Sequence, residues 1–402
     1  MQSRECSYVL SGEQVLLPDD RFAAADVEVR EGVIGRVQDH RVGHLDHGLP
    51  IVRVPTGHFL VPGLIDTHVH GRLGRNAMEA TRDAVSAIGA ALLASGVTSF
   101  VAGTASAPWD QMLASVGGLA ELTGPTAGAE LLGIHLEGPF LSPSRRGVHR
   151  LDALALPEER RIAEVLDVAG RALRICTLAP ELPGAMAAVD RLCEAGVQVS
   201  LGHTDADFSV ASEAVRRGAR RATHLFNAMP PIHHRDPGPI PALLSDVRVY
   251  LEVVPDGVHV APELLAVMLG SRDLAGRVVL VSDGSDVGGL PDGPHRRWEG
   301  TDVVLRGGRS YTPEGTTAGS ASMLIDGIKV AVDAGVPPAR ALAAASRIPA
   351  AALGLRDRGR IAPGARADLL VLTDRFDIDT TILHGTRQVM IGEPRAHLDD
   401  PR

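Results

Sequence analysis

The stretch LIDTHVHG, residues 64–71, is the first of a series of apolar, strand-like runs that decide the fold. Its apolar residues lead directly into Asp66, His68 and His70, and alternate side chains of a strand point to the same face. The three side chains should therefore project together, where a pair of neutral imidazoles can hold a metal ion. A single H-x-H is weak support for a metal site, because many such pairs are only hydrogen-bonded polar residues.

Seven more runs of this kind follow, separated by Ala- and Leu-rich stretches with helical spacing. One of these stretches, TRDAVSAIGAALLASG, begins at Thr81, which can cap a helix, ends at Gly96, and has Val85, Ile88 and Leu92 on one face. Eight buried strands alternating with helices predict an α/β fold, a (β/α)8 TIM-like barrel. The strand count alone leaves a doubly wound open sheet as the alternative. The runs cover residues 64–71, 97–103, 131–138, 173–181, 198–204, 221–229, 249–257 and 278–284.

The two ends of the chain carry a different pattern. Short alternating runs separated by glycine-bearing turns fill residues 1–60, and such runs return near the C-terminus in GRIAPGARADLLVLTD, TTILHGT and RQVMIGEP. Pairing between the two ends would build a small β-sandwich domain from residues 1–60 and 358–402. Residues 61–357 would then form the barrel domain.

Composition narrows the classes of function. Of 402 residues, 45% are hydrophobic and only 3% aromatic, so Ala, Val, Leu and Ile must fill a large core. A net charge of −9 argues against a nucleic-acid-binding protein, which would carry a basic face. The sequence has neither an apolar run of membrane-spanning length nor the apolar segment of a signal peptide, which predicts a cytoplasmic protein without a membrane partner. Three scattered cysteines, Cys6, Cys176 and Cys193, predict reduced thiols.

Metal-competent side chains fall where the predicted strands end. In a barrel of this kind, catalytic groups lie at the carboxyl ends of the strands. A lone buried histidine is usually a hydrogen-bonded core residue, but burying several ionisable groups together without a cation would be costly. Their common position therefore predicts a metal site. The six residues are His68, His70, Glu137, His203, His224 and Asp283.

This set resembles the pattern of the amidohydrolase superfamily, with H-x-H on strand one, histidines on strands five and six, and an aspartate on strand eight. More narrowly, the chain resembles the N-acetylglucosamine-6-phosphate deacetylases through motifs that lie between Pro62 and Leu372, among them HLEGP, THLFNAM and RRGVH. HLEGP and THLFNAM are highly specific, whereas the H-x-H and the closing RGRIAPGARADLLVL are shared across the superfamily. The resemblance implies an enzyme that hydrolyses the acetamide of an amino-sugar phosphate.

The resemblance also implies a divalent metal centre of one or two ions, with zinc expected and iron, manganese or cobalt as alternatives. Many two-metal members of the superfamily bridge their ions with a carboxylated lysine, but the single lysine, Lys329, lies beyond the eighth run. A carboxylate must then be the bridge, and Glu137 is placed for it. One ion would be held by Glu137, His203 and His224, and a second by His68, His70, Glu137 and Asp283.

The same resemblance implies roles in catalysis and substrate binding. Asp283 would take the proton of the attacking water and pass it to the leaving nitrogen. Family members often receive their phosphate clamp, here Arg235 and His259, from the neighbouring subunit, which implies a homodimer. A guanidinium suits phosphate because it offers paired donors. The predicted substrate-binding residues are His149, Asn227, Ala228, Arg235 and His259.

Three stretches depart from the family pattern. VSDG, residues 281–284, replaces the more usual VTDA, and HHRDPGP, residues 233–239, is a loose version of its motif. The loop GSDVGGLPDGPHRRWEG, residues 284–300, is rich in Gly, Pro and Arg and could reshape the pocket. The alternatives are therefore a deacetylase of another N-acyl amino sugar, such as N-acetylgalactosamine 6-phosphate, or an N-acyl amino-acid amidohydrolase. A sugar-phosphate-binding regulator without catalysis would need degraded metal ligands, and all six are present.

Overall fold

The structure is a computed structural model that describes residues 7–43, 48–315 and 317–388. Residue contacts divide the chain into two compact units, Met1–Gly63 with Arg356–Arg402, and Leu64–Leu355. We propose that these units are the two domains predicted from the sequence. Within the described ranges, no helix is long and apolar enough to cross a membrane. Cys176 and Cys193 are free thiols, and Cys6 lies outside the described residues.

The N-terminal part of the first unit consists of β-strands, as the alternating runs predict. The first of them pairs antiparallel with the second and parallel with the fourth and fifth, and the second pairs with the third. These strands are β1 (Tyr8–Leu16), β2 (Phe22–Arg30), β3 (Val33–Asp39), β4 (Ile51–Arg53) and β5 (Phe59–Pro62).

The second unit contains a nearly closed parallel barrel. Its eight strands hydrogen-bond to one another in chain order, and an isolated bridge from Val69 to Gly284 joins the first strand to the residues after the last. This arrangement confirms the predicted barrel over the open sheet. The strands of this unit are β6 (Leu64–Val69), β7 (Gly71–Arg72), β8 (Arg75–Asn76), β9 (Val97–Gly103), β10 (Glu130–Glu137), β11 (Leu173–Leu178), β12 (Gln198–Leu201), β13 (Arg221–Ala222), β14 (Tyr250–Val253), β15 (Val278–Leu280), β16 (Gly293–Arg296), β17 (Asp302–Arg306), β18 (Arg309–Tyr311) and β19 (Thr317–Ser320). The barrel comprises β6 and β9 to β15.

Helices alternate with the barrel strands and bury an apolar face. The first begins where the sequence predicts, because the Thr81 side chain accepts a hydrogen bond from Ala84 N and caps it. Its predicted inner residues, Val85, Ile88 and Leu92, are all buried. The helices are α1 (Arg82–Ala94), α2 (Trp109–Glu121), α3 (Glu159–Ala169), α4 (Ala185–Glu194), α5 (Phe208–Arg217), α6 (Ile240–Ser245), α7 (Pro262–Gly270), α8 (Arg272–Ala275), α9 (Leu324–Asp333), α10 (Pro338–Ala344) and α11 (Arg347–Ala352).

A small antiparallel sheet follows the last barrel strand. It consists of β16 to β19 in sequential order, and Val303, Leu305 and Ala318 pack with Val287 into a separate apolar cluster. Residues 284–300 form the loop that departs from the family pattern. This loop therefore leads into the small sheet and ends in the turn between β16 and β17.

The C-terminal strands return to the first unit. β20 (Leu369–Leu372) pairs antiparallel with β5, which confirms that both chain ends build one sheet. β21 (Ile378–Leu383) and β22 (Thr386–Gln388) extend this sheet, and the rest of the predicted strand RQVMIGEP lies outside the described residues. The core of this unit comprises residues of both ends, among them Val27, Leu60, Ile361 and Leu369.

Candidate metal centre and substrate pocket

The carboxyl ends of five barrel strands bring the six predicted metal ligands together. Three of them have a left-handed backbone, with φ of 47° at His203, 29° at His224 and 48° at Asp283. Non-glycine residues rarely adopt this region, and such strain concentrates at functional sites, where the surrounding fold maintains it. His68 and Glu137 lie within their strands, and His70, His203, His224 and Asp283 lie one to three residues after theirs.

One group of ligand atoms surrounds the first carboxylate oxygen of Glu137. His224 Nε2 lies 3.0 Å from Glu137 Oε1, and His203 Nε2 lies 3.4 Å from the same oxygen. The two imidazole nitrogens are themselves 3.0 Å apart. These three side chains are the set that the sequence assigns to the first ion.

A second group centres on His70. His70 Nε2 lies 3.1 Å from Glu137 Oε2 and 3.3 Å from Asp283 Oδ1, and His68 Nε2 lies 3.2 Å from His70 Nε2 and 3.5 Å from Glu137 Oε1. Gly103, at the end of β9, backs these rings closely, since a Cβ there would lie 3.0 Å from His70 Cε1. This set matches the assignment to a second ion, with Glu137 between the two groups.

The donor and acceptor pattern of these atoms fits a divalent cation. His203 Nδ1 donates to the carbonyl oxygen of Arg145 at 2.8 Å, so a neutral His203 presents the lone pair of Nε2 to the cluster. His68 Nδ1 lies 3.3 Å from Glu252 Oε2; burial lowers the pKa of His68, but the charges of Glu137 and Asp283 outweigh it and raise this pKa well above its usual value. The lone pair of His203 faces Glu137 Oε1, and a cation would satisfy both of these acceptors.

Electrostatics keep the carboxylates of the cluster ionised. Burial alone would raise the pKa of Glu137, but the histidines around it, His68 foremost, lower the pKa well below its usual value. Burial lowers the pKa of His203 to about 4, so its imidazole is neutral near pH 7. Burial acts in the same direction on His70, but Asp283 and Glu137 outweigh it and raise the pKa of His70 to about 9. A proton therefore competes with a metal ion for the His70 nitrogen.

A buried ion pair lies behind His68, and sequence reasoning missed it. Arg221 Nη2 donates to Glu252 Oε1 at 2.6 Å and to Thr67 Oγ1 at 2.9 Å, and both charged side chains are fully buried. His68, His135 and Glu252 could in principle hold an ion of their own. The Arg221 charge on Glu252 argues against it, so Glu252 serves to orient the His68 ring. The sequence did carry a signal for this pair, because Arg221 and Glu252 are charged residues that lie inside two of the apolar strand-like runs.

Glu252→Gln should lower the free energy of unfolding by about 3 kcal/mol, because it leaves the Arg221 charge buried without its counter-ion. Denaturant unfolding monitored by circular dichroism measures the change. Glu263→Gln, at an exposed position in the first turn of α7, is the matched control and should leave stability unchanged. Equal stability of both variants would mean that the pair contributes nothing to the fold.

A pocket of about 400 Å³ opens over this cluster. Four of the five predicted substrate-binding residues line it, namely His149, Asn227, Ala228 and His259. The fifth, Arg235, does not. It is exposed on its loop, where Nη1 lies 2.7 Å from His234 Nε2. His259 lies in the pocket of its own chain, whereas the resemblance implied that the neighbouring subunit supplies it.

Several pocket residues are ones that the sequence analysis did not name individually. Ser106 and Arg145 follow β9 and β10, and Arg297 and Glu299 belong to the turn between β16 and β17. The Gly- and Arg-rich composition of residues 284–300 was the signal for the last two, but the sequence could not show which arginine turns inward.

Comparison with known proteins agrees with this geometry. The chain is 31% identical over 389 residues to the N-acetylglucosamine-6-phosphate deacetylase of Vibrio furnissii, covering 96% of each chain. It is also 31% identical to the N-acetylgalactosamine-6-phosphate deacetylase of Escherichia coli O157:H7, covering 94% of this chain and 98% of that one. Among solved structures, a mutant N-acetylglucosamine-6-phosphate deacetylase of Mycobacterium smegmatis with bound N-acetylglucosamine 6-phosphate is 33% identical. It superposes with a TM-score of 0.88, covering 95% of this chain and 99% of that one.

The family match covers most of the chain. The model of the amidohydrolase family matches residues 59–387, a range that includes the whole barrel and all six clustered side chains. This confirms the superfamily that the H-x-H, the two later histidines and the aspartate indicate. With the fold, the ligand cluster and the sequence match in agreement, the chain belongs to the amidohydrolase family.

Proposed function

We propose that the protein hydrolyses the acetamide of N-acetylglucosamine 6-phosphate, giving glucosamine 6-phosphate and acetate. The observation that carries this proposal is the cluster of imidazoles around both oxygens of Glu137, at the base of a pocket lined by His149, Asn227 and Ala228. Relatives that span nearly the whole chain bear the name of this activity. The N-acetylgalactosamine 6-phosphate deacetylase among them keeps the other sugar isomer as an alternative.

A divalent cation fits the cluster, with Glu137, His203 and His224 as one set of ligands and His68, His70, Glu137 and Asp283 as the other. When bound, such a cation supplies Lewis acidity and a nucleophilic water at neutral pH. We propose zinc, because imidazole and carboxylate ligands suit it, with iron, manganese and cobalt as alternatives. Metal analysis of the purified protein identifies the ion and its stoichiometry of one or two per subunit.

Asp283 is the proposed general base and general acid. Burial would raise the pKa of this carboxyl, but the charges of His68 and His70 lower it below its usual value, so it is ionised and can accept a proton. It lines the pocket beside His70. It takes a proton from the attacking water as the new C–O bond forms, and it returns that proton to the amide nitrogen as the C–N bond breaks.

His149 is placed to hold the amide carbonyl. The backbone N–H of Ser106 donates to His149 Nδ1 at 3.2 Å, and a backbone N–H can only donate. Nδ1 is therefore an acceptor, and a neutral His149 carries its proton on Nε2, which lies 3.4 Å from Glu137 Oε2. Burial lowers the pKa of His149 and so favours this neutral form. The Nε2–H group can donate to the carbonyl oxygen as negative charge develops on it.

The test of the proposed function is a hydrolysis assay over a panel of substrates with the metal-loaded enzyme. The panel contains N-acetylglucosamine and N-acetylgalactosamine, each with and without the 6-phosphate, and N-acetyl amino acids. We expect the highest kcat/KM for N-acetylglucosamine 6-phosphate. Equal turnover of phosphorylated and unphosphorylated sugars would contradict the substrate while leaving the amidohydrolase chemistry intact.

Arg235→Ala should weaken selection for the phosphorylated sugar, because losing a charge-assisted hydrogen bond reduces apparent affinity by about 10- to 150-fold. A phosphate contact made equally in the ground and transition states affects KM more than kcat. Steady-state kinetics on both sugars measure this, and KM for the unphosphorylated sugar should not change. Arg248→Ala is the control, since that exposed side chain pairs with Asp246. An unchanged KM in Arg235→Ala would remove Arg235 from the phosphate site.

Because Arg235 is exposed and does not line the pocket of its own chain, we propose that it acts in the neighbouring subunit of a homodimer. Co-expression of Arg235→Ala and Asp283→Asn subunits tests this. In a mixed dimer, action across the interface leaves one site with both residues intact, whereas action within one chain leaves both sites defective. Activity of the mixed dimer well above that of either parent supports the proposal, and activity no higher than the parents contradicts it.

A further inference from the structure

A buried ion pair forms one wall of the pocket, and the proposed reaction does not use it. Arg297 Nε lies 2.8 Å from Glu299 Oε1, and the side chains of both residues are only 4% exposed. Both residues line the pocket. The pair sits in the Gly- and Arg-rich stretch, residues 284–300, that departs from the family pattern.

The ion pair between Arg297 and Glu299 does not use all the hydrogen-bonding capacity of the two side chains. Glu299 Oε2 is buried and has no hydrogen-bond partner within the described part of the chain. Among the described residues, Arg297 Nη1 makes a long contact, 3.5 Å, to the carbonyl oxygen of Ala318. Asp286 lies 3.5 Å from Arg297 Nε and uses its other oxygen to accept from Trp298 N, so it does not reach Glu299. A buried carboxylate oxygen without a donor is costly, and a ligand hydroxyl would satisfy it.

The position of the pair indicates which part of the substrate it meets. Arg297 and Glu299 line the same pocket as Asp283, and a Cβ on Gly319 would lie 3.6 Å from the backbone carbonyl oxygen of Asp283 and 3.7 Å from Arg297 Nη1. Asn227 and Ala228, the proposed sugar contacts, follow His224 on the Oε1 side of Glu137. With the sugar on that side, the acyl substituent of the amide extends away from it.

We propose that Arg297 and Glu299 form an acyl subsite that binds a hydroxyl group on the acyl chain of the substrate. Glu299 accepts from this hydroxyl and Arg297 donates to it. The enzyme therefore favours an N-glycolyl amino-sugar phosphate over an alkyl amide of the same size. This inference rests on the proposed function, since it names the acyl group at the same site.

The physical reason is the cost of an unpaired group. N-glycolyl and N-propionyl chains have nearly the same size and differ in a terminal hydroxyl in place of a methyl group. The methyl group would displace water from the Glu299 oxygen and supply no donor in its place. A site that hydrogen-bonds a substrate hydroxyl discriminates strongly against the analogue that lacks it.

The test compares kcat/KM for N-glycolyl- and N-propionylglucosamine 6-phosphate, with the N-acetyl substrate alongside. We expect wild-type enzyme to favour the glycolyl substrate over the propionyl one by about 10-fold or more. The double variant Arg297→Leu/Glu299→Leu should lose or reverse this preference. The matched control is Arg296→Leu/Asp302→Leu, which removes a neighbouring exposed ion pair and should keep the wild-type ratio.

The outcomes separate this inference from the proposed function. Turnover of the acetyl substrate with a glycolyl-to-propionyl ratio near one overturns the subsite and leaves the proposed function in place. Turnover of the glycolyl substrate without the acetyl one supports the subsite and contradicts acetyl as the acyl group. No turnover of any of the three overturns both. The wild-type ratio needs no variant, so it decides the question even where the double variant fails to fold.

Discussion

Glu137→Gln should strip the bound metal and lower kcat/KM for N-acetylglucosamine 6-phosphate by at least about 1,000-fold, or about 4 kcal/mol of transition-state stabilisation. Both oxygens of Glu137 face imidazole nitrogens, at 3.0 Å from His224 and 3.1 Å from His70. An amide in this place presents one oxygen and one NH2 group, so it cannot serve both sides of the cluster. Elemental analysis after gel filtration gives the metal content, and steady-state kinetics give the activity.

The control for this variant is Glu121→Gln, an exposed position at the end of α2 that should keep full metal content and activity. Adding excess metal to the Glu137→Gln protein separates weak binding from lost chemistry. A full complement of metal in this variant would show that Glu137 is not a ligand. The base and the metal ligands would then have to be assigned again.

Asp283→Asn should lower kcat by about 100- to 10,000-fold, the range that general acid–base catalysis contributes. The amide cannot accept the proton of the attacking water. The proposed ligand set of Glu137, His203 and His224 does not include Asp283, so one metal ion and substrate binding should remain. A protein that binds two ions in its wild-type form should bind one here.

Three measurements define the outcome for Asp283→Asn: kcat, metal stoichiometry, and substrate affinity by calorimetry. Asp273→Asn, exposed on α8, is the control and should match wild type in all three. Turnover near the wild-type rate would place the base elsewhere in the pocket. Loss of all metal would mean that the two ligand groups do not bind independently.

The barrel could be predicted from sequence because each strand is an apolar run with a polar or glycine end. The sixth strand shows the limit of this signal. Its run covers residues 221–229, but the strand itself is only Arg221–Ala222. His224, Phe226 and Ala228 all have positive φ, so the chain leaves the sheet early. Apolar composition does not reveal such turns, because the strain they carry is maintained by the assembled fold.

The clustering of the proposed metal ligands could be predicted for the same reason, whereas the groups around them could not. Arg221 and Glu252 meet because β13 and β14 pair with Arg221 opposite Tyr250. Neither apolar run by itself reveals this register. Arg297 lines the pocket from the turn between β16 and β17, which its own sequence stretch does not reveal. Arg235 has the right chemistry for phosphate, but a loop carries it out of the pocket of its own chain.

The seam between the first and last barrel strands links the metal centre to the folding of the barrel. The N–H groups of His70 and Gly71 donate to the Gly284 carbonyl oxygen at 2.8 and 3.0 Å, and the Asp66 carboxylate accepts from Ser282 N across 216 residues of sequence. Asp66 thus stabilises this seam by a hydrogen bond. Its strand position alone groups Asp66 with His68 and His70.

Closing a chain of that length costs roughly 5 kcal/mol of loop entropy, and only a few backbone hydrogen bonds oppose it at the seam. His70 and Asp283 stand on either side of it, so an ion held by both cross-links the closed ring and cannot bind fully while the ring is open. By mass action, an ion whose free concentration is about a hundred times its dissociation constant stabilises the closed form by about 2.7 kcal/mol. The proposed metal ligands would then also stabilise the closed barrel.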